Sequence, residues 1–305
     1  MNFQINTGIF FGISAAALQS LSYIFSRRFL LKCSREHNSL LFSLSHIHMG
    51  LLSLLLLPLM LHSFPGRSIL LPLAGTAGFY LVAQWLLFLV LKTTEASQLT
   101  PLLGFKIPLL ALYSFFFAGT LFNPAGWLAI VFCTAGGLIV SPPLGALNIK
   151  LLASALLIAA GYAGSDFLIP VLIKELNSFS HTPVAAAVCL CYNACGLAGF
   201  CLLATGLAGR RTALADKKAH LAAMPYSFTW LMAMVCLFAC FNYSGVIFGN
   251  MLQATRAFLS VFLGLLVTRL GFLGIENLKS WKIFLRRLTG AVIISAAIIL
   301  FYYQQ

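Results

Sequence analysis

Three charged side chains lie inside long apolar stretches. Lys106 sits in LTPLLGFKIPLLALYSFFFAG (Leu99 to Gly119), Arg256 in LQATRAFLSVFLGLLVT 150 positions further on, and Asp166 in the run that opens at Leu151. A charge at the centre of a membrane-spanning helix costs roughly 2.5 to 3.5 kcal/mol on insertion scales, so three cost roughly 9 kcal/mol before any pairing. Each is therefore a functional-site candidate. Two cations against one acid leave a net positive interior, which favours a substrate bearing a carboxylate or phosphate. Arginine grips such groups through two parallel hydrogen bonds, lysine as a point charge. Asp166 has two readings: an ion pair with Lys106 or Arg256 that offsets insertion cost, or a proton-coupling carboxylate.

Other polar residues fall at helical spacing around these charges. Gly249, Gln253, Arg256 and Ser260 recur at intervals of four, three and four, which makes one continuous polar or small stripe. Tyr113 follows Lys106 by one heptad, and Pro101 and Pro108 flank that lysine. A proline frees a backbone carbonyl, which a membrane tolerates only where protein or a water-filled cavity satisfies it. Tyr80 and Gln84 share one helical face, Gln19 and Tyr23 another, and Tyr162 lies one turn from Asp166.

The elements that position these residues follow from composition. Of 305 residues, 61% are hydrophobic and 8% charged, against about 25% charged in soluble domains. A bilayer-spanning helix takes about 20 mostly apolar residues, and ten such runs can be counted. Their cores are Gly8 to Phe25, Leu40 to Leu61, Ile69 to Leu91, Leu99 to Ala118 and Pro124 to Val140, then Leu151 to Ile173, Pro183 to Leu207, Phe228 to Phe248, Met251 to Thr268 and Ile283 to Tyr303. The longest connections, Arg27 to Ser39, Ala208 to Ser227 and Arg269 to Lys282, are too short for a soluble catalytic domain. The first run has no basic leader and no small-residue cleavage site, so it is expected to stay in the mature protein.

The net charge of +13 is explained by topology rather than by nucleic acid. Loops after odd-numbered helices, together with Arg286 and Arg287 at the head of the last run, carry fifteen basic residues, and loops after even-numbered helices carry only Arg67 and Lys174. Positive loops stay in the cytoplasm, which predicts both termini outside. Seven of the eight cysteines lie in apolar runs and Cys33 in a loop, so they read as small packing residues and not as a disulfide framework. Residues two apart on a helix point about 200° apart, so neither Cys189 with Cys191 nor His46 with His48 makes a metal pair. No metal or cofactor is expected.

The chain repeats itself. GWLAIVFCTAGGLIVS (Gly126 to Ser141) aligns with SWKIFLRRLTGAVIIS (Ser280 to Ser295), which matches Trp127 with Trp281, Gly136 with Gly290 and Ser141 with Ser295. Upstream, Lys106 matches Arg256. Each copy, 1–145 and 146–305, then holds five spans. An odd number of spans sends the chain into the second copy from the other side of the membrane, which inverts it. Inverted repeats are a recurring design of secondary transporters, with a substrate site near the midplane.

With Gly274, Glu276, Trp281 and the Gly290-punctuated last helix closing the second copy, the sequence resembles the EamA-type members of the drug/metabolite transporter superfamily. Ile275 interrupts the family's Gly-Glu pair, and the first copy keeps Gly119 and Trp127 but has Thr120 where the acid would stand. The resemblance implies a ten-helix all-α integral membrane fold. It also implies a central cavity lined by the third, fourth, eighth and ninth helices with first- and sixth-helix neighbours. Lys106, Arg256, Gln253, Ser260, Tyr80, Gln84, Tyr113, Gln19 and Tyr162 are the expected substrate-binding residues, with Asp166 for coupling. The family's usual cytoplasmic termini stand against the charge count.

The expected function is secondary active transport of a small polar organic metabolite bearing a carboxylate or phosphate. A proton or counter-substrate is the coupling partner, the surrounding lipids are the other partner, and a bacterial inner membrane is the expected location. An intramembrane lipid-modifying enzyme is the rival. It would need a reactive constellation, yet no HExxH, GxSxG, P-loop or aspartate pair occurs within the spans. A non-transporting scaffold has no evident use for Lys106 and Arg256.

Overall fold

The computed structural model describes residues 2–33, 38–91, 100–140, 149–207, 216–256, 259 and 281–303. Among these, the chain forms ten α-helices and no strand. They are α1 (Asn2–Cys33), α2 (Asn38–Met60), α3 (Leu70–Leu91), α4 (Lys106–Ala118), α5 (Pro124–Val140), α6 (Ile149–Leu176), α7 (Pro183–Ala204), α8 (Lys217–Ser244), α9 (Val246–Ala254) and α10 (Trp281–Tyr302). In hydrocarbon a helix satisfies its own backbone polar groups, and runs this apolar have no other open-ended solution. Six helices, α1, α2, α3, α6, α7 and α8, contain segments long and apolar enough to cross a membrane. Shorter apolar segments lie in or across α4, α5 and α10. Phe116, Phe117, Leu55 and Leu71 stand fully outward, a surface that water does not support but lipid does. This is an all-α membrane protein.

Several boundaries differ from expectation, each for a local reason. The stretch from Leu99 is not one α-helix: Thr100–Phe105 is a 3-10 segment and α4 starts at Lys106. Pro108 has no N–H to give the Gly104 carbonyl, and its ring crowds that carbonyl, so α-geometry fails one turn before it. The eighth helix starts at Lys217 rather than Phe228, because Asp216 caps it by accepting from the backbone N–H groups of Lys218 and Ala219. It ends at Ser244, where Gly245 takes φ 80° and ψ 155°, a conformation open essentially to glycine alone. The ninth helix consequently opens at Val246 instead of Met251. The connection expected over Arg27 to Ser39 is shorter, since α1 runs on to Cys33.

Helices pack in pairs: α1 on α8, α2 on α7, α3 on α6, and α5 on α10. Lesser contacts join α4 to α6, α1 to α9 and α4 to α9. Lipid tails are as apolar as leucine, so helix association depends on close packing, which small residues allow. On α2 and α7 this is carried furthest: a Cβ on Gly196 would lie 2.9 Å from the His46 carbonyl oxygen and 3.0 Å from the Gly50 Cα. On α1, Gly8 faces Ser244 and Gly12 faces Leu252 equally closely. Cys191 and Cys195 are also buried on α7, and the seven cysteines from Cys133 to Cys240 are free.

Candidate functional site

Two buried polar groupings form where the helices converge. In the first, Lys106 opens α4, and a cation there faces the positive end of the helix dipole. Asp166, buried on α6, meets it with Nζ to Oδ2 at 2.6 Å. The same oxygen accepts from Asn250 Nδ2 on α9 at 2.9 Å, and Asn250 also donates to the Val246 carbonyl. The carboxylate is thus held by two donors from two other helices. Lys106 Nζ lies 5.9 Å from the centre of the Tyr162 ring, and the Tyr162 hydroxyl donates to Gln84 Oε1 on α3.

The second grouping joins α1 to α9. Gln19 Oε1 accepts from Gln253 Nε2 at 3.1 Å and from Arg256 Nη1 at 3.3 Å. Ser20 Oγ donates to the Arg256 carbonyl at 3.2 Å. Gln19 and Gln253 are buried and Arg256 is partly exposed. Among the described residues, no carboxylate lies within ion-pair distance of Arg256. The short helix α9 joins the two groupings, since its Asn250 binds Asp166 and its Gln253 binds Gln19.

An aromatic wall adjoins them. The Tyr80 ring packs edge-on against Tyr192 at 5.9 Å and lies 6.3 Å from Tyr162. His46 Nδ1 is 2.7 Å from the Phe42 carbonyl, which can only accept, so that nitrogen carries the proton. Neutral His46 therefore accepts from the Tyr80 hydroxyl at Nε2, 3.1 Å away. Trp230 Nε1 donates to the Tyr192 hydroxyl at 2.8 Å. A small cavity beside this wall is lined by Thr76, Tyr80, Ser165, Asp166 and Tyr192 among others; Arg256 is not in its lining. The buried Thr76 Oγ1 has no hydrogen-bond partner among the described residues.

Of the residues singled out in the sequence, Lys106, Asp166, Tyr162, Gln84, Arg256, Gln253, Gln19 and Tyr80 come together here. Tyr113 does not: its hydroxyl reaches the Ala160 carbonyl at 3.4 Å and its ring packs on Phe117 and Phe167. One heptad is about 10 Å along a helix, which carries Tyr113 away from Lys106. Ser260, like Gly274 and Glu276, lies outside the described residues. Sequence reasoning missed Asn250, Tyr192 and Trp230. Asn250 carried a readable signal, a costly amide in an apolar helix, one residue off the Gly249–Gln253 stripe.

No protein-family model and no curated protein matches the chain. A crystal structure described only as that of a protein is similar in fold. It has a TM-score of 0.65 over 97% of this chain and 96% of that one, at 16% identity. The likeness extends to the whole architecture and concerns fold alone.

Proposed function

We propose that this chain is a secondary active transporter of a small polar organic metabolite carrying an acidic group, built on the EamA-type plan of the drug/metabolite transporters. The observation that carries the reading is the pair of matched cation sites in an apolar membrane interior: Lys106 with Asp166, and Arg256 with Gln19. Structural bracing calls for no second cation, and among the described residues Arg256 has no counter-charge, as an anion-binding site requires. Arg256 is the anchor for the substrate's acid, Gln253 and Gln19 hold the guanidinium in place, and Tyr80 and Tyr162 supply flat walls. Asp166 is engaged by Lys106, which makes the ion pair its first role ahead of proton coupling.

The packing pairs support ten spans in two inverted repeats, 1–145 and 146–305. Exchanging each helix for the one five further along maps α1 on α8 onto α6 on α3, and leaves α2 on α7 and α5 on α10 unchanged. In this reading both termini lie outside a bacterial inner membrane, and a proton or counter-substrate drives the cycle.

The test is a thermal-shift screen of the purified protein against a metabolite library, since a ligand of the folded state raises apparent stability. Acidic metabolites should stabilise the wild type, and Arg256→Ala should lose that shift while remaining folded in the membrane. Stabilisation undiminished in Arg256→Ala would refute the assignment.

A further inference from the structure

We propose that Gln19 sets the charge of the ligand this site accepts, by facing Arg256 with a neutral amide where the matching position carries a carboxylate, so that a monoanion is bound in preference to a dianion. The inference rests on the anion-binding reading above and narrows it.

The exchange that relates α1 to α6 and α4 to α9 also relates the two cation sites. Lys106 on α4 pairs with Asp166 on α6, and Arg256 on α9 pairs with Gln19 on α1. Each cation thus reaches across to the first helix of the other half, and the acceptor it finds differs in charge. At Gln19 both neighbours, Gln253 Nε2 and Arg256 Nη1, are donors, which fixes the amide oxygen toward them. The side chain is 3% exposed, so a charge placed there acts on the partly buried Arg256 with much less screening than at a surface.

Charge can then be counted. Lys106 and Asp166 cancel, and Asn250 saturates the carboxylate further. Among the described residues one positive charge is left over here, on Arg256. A ligand with one negative charge neutralises it. A second negative charge would find no further free cation among the described residues of this site, and an uncompensated buried charge is strongly unfavourable.

The test uses the full-length purified protein and three probes sharing one ring for the tyrosine walls: benzamide with no charge, benzoate with one and phthalate with two. Binding is read by calorimetry. Wild type should bind benzoate about tenfold or more tighter than either other probe, the effect expected of one charge-assisted bond. Gln19→Glu, nearly identical in shape, should bring benzoate down to the level of benzamide. Gln19→Ala, which leaves Arg256 uncompensated, should keep the benzoate preference. Asp166→Asn should gain phthalate binding, since Lys106 becomes available to a second carboxylate, and it carries the decision independently of whether Gln19→Glu folds. Four results would overturn the proposal: equal benzoate binding by wild type and Gln19→Glu, a wild-type preference for phthalate, no gain of phthalate binding by folded Asp166→Asn, or no binding of any probe. The charge pattern without flux in proteoliposomes would remove the transport reading and leave the charge rule. Flux of a dianion undiminished by Gln19→Glu would do the reverse.

Discussion

At the scale of single residues, the strongest interaction in the interior is the contact between Lys106 and Asp166. Their two desolvation costs are offset only while both are present. Removing one strands the other, which in buried pairs costs about 3–5 kcal/mol, whereas replacing both by uncharged groups of similar size is often close to neutral. Lys106→Met and Asp166→Asn should therefore each lower unfolding stability in detergent by that order, and the double variant should lose less than either single one. Additive losses in this double-mutant cycle would show that the contact carries no coupling energy. Arg256 behaves differently, because its partner is an amide. Its truncation removes a ligand anchor and strands no buried charge.

At the scale of elements, α2 and α7 approach backbone to backbone at Gly50 and Gly196. The contact sits directly against the His46 carbonyl, and the His46 ring receives the Tyr80 hydroxyl. Gly196→Ala places a methyl group 2.9 Å from that backbone oxygen, and backbone cannot swing aside as a side chain can. A loss of about 1–3 kcal/mol is expected, as for other overpacked interiors, read as a lower melting temperature in detergent. An unchanged melting temperature would mean that α7 slides freely on α2.

The six long apolar helices were legible because apolar length is set by the bilayer and written into each of them. Lys106, Arg256 and Asp166 were legible because charge in such a run has a known cost. Helix ends were less so. The break at Gly245 interrupts no change of hydropathy, and the start of α8 depends on the Asp216 cap and not on apolar residues. The partner of Asp166 was open between two cations until the fold placed α4 against α6. The Tyr192 and Trp230 wall had no signal at all, since buried aromatic residues of a membrane helix read as packing until a neighbouring helix is known.

At the scale of the whole molecule, the pairing of helices and the likeness to a solved fold along nearly its full length describe one architecture. The five-helix exchange adds a functional meaning to it. If the proposed inverted repeat holds, its substrate site belongs where the two halves meet near the midplane, and both cation pairs join a helix among α1–α5 to one among α6–α10. A substrate held by Arg256 would then touch residues of both halves, so that binding biases how they sit. The central claim is that this site moves an acidic metabolite across the membrane, beyond merely binding it. The most direct measurement is uptake of a stabilising ligand from the thermal-shift screen into proteoliposomes containing wild type or Arg256→Ala. The account predicts saturable uptake by wild type, accelerated when the same ligand is loaded inside, and uptake at the level of empty vesicles for Arg256→Ala. Binding with no flux above empty vesicles by the wild type would contradict it.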